Sequence, residues 1–243
     1  MPQLTKRLIC SRCLRPQQTC ICGWSTPIEH TVEVLILQHP LEEKNAKGSA
    51  RLLHMSLPNS RLLVGEVFDE QELELLLHAP LEPGMPCKRP ILLYPDTPDD
   101  AGMTQAATQF DGARAEPEQL RLVVLDGTWR KSRKMLYANP LLQALPRLAL
   151  RDAPASQYLI RKASGAHQLS TLEATCYALM QLEGDLAKYA PVLDAFNGFV
   201  AQQLSYRRVT HLVTDTALSQ LAQAGNSSLI SDEEDGDDEE QER

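Results

Sequence analysis

Short apolar runs alternate with stretches of helical periodicity along this chain, and each run stops abruptly at a polar residue. Thr31 to Gln38 reads as a first strand, closed by His39-Pro40, because the proline holds His39 extended and cannot continue a ladder. A polar loop carrying Glu42, Lys44 and Lys47 leads into a helix near Ser49 to Met55 that bears Arg51. Arg61 to Val64 gives a short second strand, and Asp69 to His78 a leucine-rich acidic helix with Asp69 as its N-cap. Pro80, Pro83, Pro86 and Pro90 then break the chain repeatedly, and Pro90 opens a third strand that runs to Pro95. Helix signals return from Gly102 to Phe110. Leu122 to Leu125 is a strand and Trp129 to Ala138 a helix that Pro140 ends. Arg147 to Leu150 and Gln157 to Ile160 give weaker strand signals. Ser170-Thr171-Leu172-Glu173 is a capping box, and Leu172, Cys176, Leu179 and Leu182 follow it at helical spacing. Helical pattern also covers Tyr189 to Arg208 and Thr214 to Leu221. Strands and helices alternating in this way predict an α/β domain, a parallel sheet covered by helices.

Composition changes this picture in one respect. With 243 residues, 43% of them apolar, the chain can bury one substantial core. Its formal charge of -8 argues against a polyanionic partner, yet the segment from Ser231 to Arg243 carries that whole excess. The body is neutral with local basic clusters, so whole-chain charge is a poor guide to partners. The acidic segment reads as disordered from Gly225, either a solubilising end or a screen for the basic cleft. Three regions are therefore expected: residues 1–28, a body over 29–224, and a tail over 225–243. Lys6 and Arg7 precede cysteines and not an apolar run, and no stretch is long enough to span a membrane. A cytoplasmic protein with no membrane and no obligate protein partner is expected.

The first region contains Cys10, Cys13, Cys20 and Cys22. Four thiols within so few residues suit one structural zinc in a tetrahedral shell, which would order a segment too small for a core of its own. A redox pair or an iron-sulfur cluster also fits the pattern. Lys6, Arg7, Arg12 and Arg15 surround the thiols, and Arg15 is a candidate phosphate contact.

Candidate chemistry gathers at Leu122-Val123-Val124-Leu125-Asp126-Gly127-Thr128-Trp129 and the basic run Arg130-Lys131-Ser132-Arg133-Lys134. A buried strand ends in a carboxylate, glycine permits a sharp turn, and a hydroxyl, an indole and four cations open the helix. Sites in α/β proteins are built at such strand ends. Trp129 is equally readable as a core anchor, His39 as a hydrogen-bonded turn residue, and Thr128 as a helix cap. Arg161 and Lys162 end another strand segment and join the basic candidates for nucleic acid, Lys131, Arg133 and Lys134. No P-loop and no GxGxxG is present, so the common nucleotide loops are excluded.

Asp126-Gly127-Thr128-Trp129 resembles the Asp-x-Thr-Trp signature of the DTW-domain family. The four cysteines, Gln38-His39-Pro40 with Arg51, Leu93-Tyr94-Pro95, and Leu169-Ser170-Thr171-Leu172-Glu173-Ala174 match that family in kind and order. The resemblance runs from Cys10 to about Arg208. It implies a tRNA-uridine aminocarboxypropyltransferase, which uses S-adenosylmethionine to place a 3-amino-3-carboxypropyl group on N3 of a tRNA uridine. For a bacterial member of this layout it implies the variable loop. It further implies a SPOUT-like fold with a knot toward the C-terminal side, which no periodicity could show.

By the same resemblance Asp126, Thr128 and Trp129 are catalytic candidates. His39, Arg51, Tyr94, Leu125, Gly127, Arg130, Leu169, Ser170 and Thr171 are candidates to hold the co-substrate. Asp126 has three readings: general base for N3, positioning group, or turn former. Two rivals remain: an S-adenosylmethionine-dependent RNA methyltransferase and a zinc-containing RNA-binding protein without catalysis.

Overall fold

The computed structural model describes residues 8–81, 84–95, 108–111, 116–151, 154, 156 and 169–206. The chain divides into two compact units, Met1–Val200 and Ala201–Arg243. The described part of the second, residues 201–206, is helical. The segments Gln157 to Ile160, Arg161-Lys162 and Thr214 to Leu221, and the acidic tail, lie outside the described residues.

In the first unit five strands form one all-parallel sheet: β1 (Glu33–Gln38), β2 (Ser60–Val64), β3 (Arg89–Leu93), β4 (Leu120–Asp126) and β5 (Arg147–Leu148), in the order β2-β1-β4-β3-β5. Helices follow the expected alternation: α1 (Pro40–Glu43), α2 (Ala50–Ser56), α3 (Glu70–His78), α4 (Trp129–Ala138), α5 (Pro140–Gln143) and α6 (Thr171–Glu183). Residues 190–200 are also helical. β1 and β4 are buried at every position, as expected of strands covered on both faces. Alternation sorts their side chains. Leu35, Leu37, Val123 and Leu125 join Leu73, Leu77, Met135, Leu136 and Leu142 of α3, α4 and α5 in one cluster. Residues of the opposite parity, among them Val34, Ile36, Leu122 and Val124, are buried on the other face, where α2 and α6 pack on β1 and β4.

Local signals account for the helix starts. Asp69 accepts from the amides of Gln71 and Glu72, and Ser170 with Glu173 forms the complete capping box. Cys176 lies fully buried on α6, where burial raises its thiol pKa well above the ordinary range. Three expectations need correction. The polar segment after His39 is a short helix, since Pro40 occupies its first position, where the missing N–H costs nothing. The last residues of the Gly102 to Phe110 helix signal are extended: Gln109 bridges Arg147 in parallel, and Phe110 N–H donates to Arg147 C=O (2.8 Å). Tertiary pairing there overrides local pattern. The strand at Arg147 is two residues long and does not reach Leu150.

This topology creates the site. From β1 the chain turns to β2 on one side; from β4 it turns to β5 on the other. β1 and β4 are neighbours, so their carboxyl ends part at a topological switch point, where an open α/β sheet leaves a crevice.

Candidate functional site

Gln38 and Asp126 are paired in register as the last residues of β1 and β4. Asp126 is 3% exposed, and both its oxygens accept hydrogen bonds: Oδ2 from Gln38 Nε2 (2.8 Å) and Oδ1 from Thr171 Oγ1 at the start of α6 (2.6 Å). Its backbone carbonyl accepts from the His39 amide (2.9 Å). Three elements distant in sequence thus converge on one carboxylate. Gly127 follows because the start of α4 comes close: a Cβ there would meet Lys131 Cβ at 3.0 Å and the Ser132 nitrogen at 3.4 Å. Thr128 caps α4, its side chain accepting from Lys131 N–H (3.4 Å).

Trp129 is 51% exposed and is no core anchor. Its ring stands at 84° to Tyr94, with centroids 5.3 Å apart. Tyr94 is buried, and the guanidinium of fully buried Arg147 lies 5.1 Å from its ring centroid. Tyr94 and Pro95 after β3, and Trp129, Arg130, Arg133, Lys134 and Tyr137 of α4, line a cavity of about 640 Å³. These helical residues are three or four apart and share a face. Arg133 Nε donates to Tyr137 OH (2.6 Å), with its guanidinium 5.2 Å from that ring's centroid.

The remaining candidates have specific partners. Lys131, a nucleic-acid candidate, donates to Oε1 of buried Glu42 (2.8 Å). His39 is buried; its Nδ1 accepts from Leu41 N–H (3.1 Å) as the cap of α1, which leaves the proton on Nε2, bonded to Glu66 Oε2 (2.8 Å). Glu66 also pairs with Lys134 (2.7 Å), and the Lys134 and His39 bonds hold its carboxyl below the usual range. Ser170 serves as the cap of α6, and the next amide but one, Leu172 N–H, donates to Ser49 Oγ (3.4 Å). Arg51 is half-buried on α2, Leu125 is buried at the end of β4, and Leu169 precedes the cap.

The sequence reading missed Glu66, Gln38 as an Asp126 partner, and Tyr137. Tyr137 alone had a local signal, its spacing of four from Arg133 on α4. Gln38 and Glu66 become visible only once strand order is known.

The four cysteines form a separate centre. Their sulfurs lie within 4.8 Å of one another, with Cys10–Cys22 at 3.6 Å and Cys13–Cys20 at 3.7 Å. Four sulfurs about 2.3 Å from a tetrahedral zinc are spaced by about 3.8 Å, so the donor set fits such a metal. Amides of Cys13 and Arg12 hold the Cys10 thiol down to about 6, while burial and the Cys10 sulfur push Cys22 up to about 12. Four thiolates together need a cation. The turn around Cys10 closes through Leu14, which adopts a left-handed conformation (φ 58°). Arg15, a phosphate-contact candidate, donates to the carbonyls of Ala46 (2.7 Å) and Gly48 (3.0 Å) and stacks over Phe199. Ser25 Oγ donates to Met55 C=O, and Trp24 covers Gly198, where any Cβ would collide with the indole. These contacts dock the knuckle on the sheet domain. Cys87 is exposed and stands apart from this cluster.

Fold and site together define a class: a parallel α/β protein with a carboxylate, an indole and cations at its switch point and a docked four-thiol knuckle. Residues 7–204 match the DTW domain, and the chain belongs to that family. It is 30% identical over 183 residues to tRNA-uridine aminocarboxypropyltransferase 2 of Macaca fascicularis, covering 73% of this chain and 57% of that one. The mouse protein of the same name is 30% identical over 205 residues, with 83% and 65% covered. The Drosophila melanogaster protein is 28% identical over 185 residues, with 73% and 68% covered. The alignments thus span 57% and 65% of the two mammalian relatives' length. No solved protein structure matches the chain. No helix among the described residues is long and apolar enough to cross a membrane.

Proposed function

We propose that this protein transfers the 3-amino-3-carboxypropyl group of S-adenosylmethionine to N3 of a uridine in the variable loop of tRNA. The observation that carries the reading is the Asp126-Gly127-Thr128-Trp129 turn. It stands at the β1/β4 switch point in a chain whose relatives are named for this transfer. A sulfonium activates each carbon bonded to it, and presentation of the side-chain methylene rather than the methyl selects this reaction. The N3–carbon bond forms as the carbon–sulfur bond breaks, methylthioadenosine leaves, and the N3 proton departs.

The donor's amino acid end belongs beside Asp126. Both oxygens of Asp126 already accept a hydrogen bond, so the carboxylate is fixed in place. A fixed acceptor suits a group that holds the donor's ammonium better than one that must collect a proton. On this reading His39, Leu169, Ser170 and Thr171 surround the donor, Leu125 and Gly127 meet it through their backbone, and Arg51 lies near its carboxylate. Thr128 sets the turn that presents Trp129. Zinc held by Cys10, Cys13, Cys20 and Cys22 would supply folding energy and would leave no open coordination position. A knot toward the C-terminal side, with the donor in it, completes this reading of the fold. Residues 1–28 are then the metal knuckle, 29–224 the transferase and 225–243 an acidic tail, in a cytoplasmic enzyme.

The test is incubation with tRNA and S-adenosylmethionine labelled separately in the methyl and carboxyl carbons. Carboxyl label alone should reach the RNA. Methyl label in the RNA would make the protein a methyltransferase, and tRNA binding with no transfer of either label would make it a binding module.

A further inference from the structure

Two ligands meet at this strand edge on the reading above, and their chemistries differ. The donor carries a sulfonium, an amino acid end and an adenosine without phosphate. The acceptor is a base flanked by two phosphates. The cavity beside Trp129 offers aromatic walls and cations: Tyr94, Trp129 and Tyr137 line it, and Arg130, Arg133 and Lys134 stand exposed at its margin. Among the described residues no carboxylate lines it. A sulfonium or ammonium placed there would face like charge, and an adenosine brings no phosphate for Arg130 and Arg133 to meet. The carboxylate of Glu66 holds Lys134 and is not part of the lining. Asp126, in contrast, lies on the strand face that packs on α6, bonded to Thr171.

We infer that this cavity is the seat of the acceptor nucleotide, a uracil turned out of the RNA and stacked on Trp129, with its flanking phosphates on Arg130 and Arg133. The inference rests on the proposed transfer to a tRNA uridine and divides that site in two, donor at Asp126 and acceptor at Trp129. Stacking on an exposed indole needs a ring held still, and the perpendicular Tyr94 ring, itself buried over Arg147, holds it. Arg133 is pre-positioned by its bond and ring contact with Tyr137. A base stacked on an aromatic ring with cations on its backbone phosphates is the pattern by which proteins hold single-stranded RNA.

The chain has two tryptophans, so a Trp24→Phe variant leaves Trp129 as the only indole. A short single-stranded RNA with a central uridine should quench its emission, and the same RNA with an abasic centre should quench it far less. S-adenosylmethionine should leave it unchanged. Quenching by S-adenosylmethionine alone, or equal quenching by the abasic RNA, would overturn the assignment. Because Trp24 packs against the core, the unmodified background supplies a second measurement. There Trp129→Ala should raise the Kd for tRNA about 5- to 150-fold, the range of one lost base–aromatic stack, with the Kd for S-adenosylmethionine unchanged within about twofold. The double variant Arg130→Ala, Arg133→Ala should lower the slope of log affinity against log salt by about two. A shift confined to S-adenosylmethionine affinity would refute the inference. A wild-type protein that binds RNA in this way yet transfers no carboxyl label would keep the cavity assignment and refute the reaction.

Discussion

The two central strands meet twice in ways that can be compared. At their amino ends Glu33 of β1 and Arg121 of β4 are register partners and form a buried ion pair. At their carboxyl ends the register partners are Gln38 and Asp126. In the first pair every strong group is answered inside the protein. Glu33 also takes Lys88 (3.2 Å), and Arg121 donates to the Leu76 and Ala79 carbonyls at the end of α3. Lys88 donates to the Glu118 carbonyl (2.7 Å). That cluster closes a helix C-terminus whose carbonyls would otherwise be unmet. At the other end the carboxylate takes neutral donors from Gln38 and Thr171, while Arg130, Arg133 and Lys134 of α4 are exposed and an indole stands in solvent. Same ladder, same sheet: the difference lies in chain path. At the amino ends α3 closes over the strands; at the carboxyl ends the chain leaves in opposite directions and cannot cover the crevice. Charge answered within the fold is structural, and charge left toward a crevice is available to a ligand.

The closed end should break hardest. Arg121→Ala leaves Glu33 buried beside Lys88 alone and deprives α3 of its terminal donor. The expected loss is about 3–5 kcal/mol of unfolding free energy, read by chemical denaturation. The salt slope of tRNA binding measured on the folded fraction should not move. A loss under about 1 kcal/mol would show that the pair contributes little and that the two ends do not differ as argued.

At the open end Asp126→Ala should reduce transfer about 10²-fold or more, with tRNA affinity kept. Stability should fall by a smaller amount, about 1–3 kcal/mol, as Gln38 and Thr171 lose their acceptor. Asp126→Asn sharpens the role. If the residue holds the donor's ammonium, KM for S-adenosylmethionine rises and the pH profile of kcat keeps its shape. If it takes the N3 proton, kcat falls and the acidic limb of its profile disappears. Transfer near normal in the alanine variant would remove Asp126 from the site.

Both ends of the comparison draw on residues that sequence reading treated very differently. The strand–turn–helix at Asp126, the caps Asp69, Thr128 and Ser170, and the parallel α/β class follow from local rules, namely apolar period, capping chemistry and proline position. The sequence pattern could not show that β1 lies against β4. Strand order is set by long-range packing, and with it go Gln38 beside Asp126 and Glu33 beside Arg121. The same limit explains the helix expected through Thr108 to Phe110, where pairing with Arg147 won over local pattern. Trp129 shows a different limit: hydrophobicity argues for burial, but the first helical position after a switch point faces the crevice. Arg15 and Lys131 read as nucleic-acid candidates from sequence, and their partners within the protein, backbone carbonyls and the distant Glu42, leave no mark near them in sequence.

A smaller effect is expected at Thr128. Its cap bond to Lys131 N–H is long and exposed, so Thr128→Ala should cost about 1 kcal/mol of stability, and Thr128→Ser should restore it. Transfer measured well below the melting temperature should stay within about tenfold of normal, since loosening the first turn of α4 only blurs the position of Trp129. A hundredfold loss with normal stability would show that the hydroxyl touches a substrate.

The smallest effect belongs to Glu66, which ties His39 to Lys134 at the margin between the closed fold and the open crevice. Its carboxyl is depressed in the folded protein, chiefly by the Lys134 bond and then by His39. A depressed carboxyl stabilises the fold above its unfolded pKa, and that contribution is lost as pH falls through the lower folded value. Glu66→Gln should therefore lower the melting temperature slightly at neutral pH, and the difference from wild type should close in acid, below the ordinary glutamate range. The same variant frees Lys134 from its anion, so tRNA affinity should rise a little and the salt slope steepen. A melting difference that persists unchanged into acid would mean that Glu66 acts through packing and not through charge. Lys134 would then belong with the exposed cations of α4, outside the network that His39 anchors.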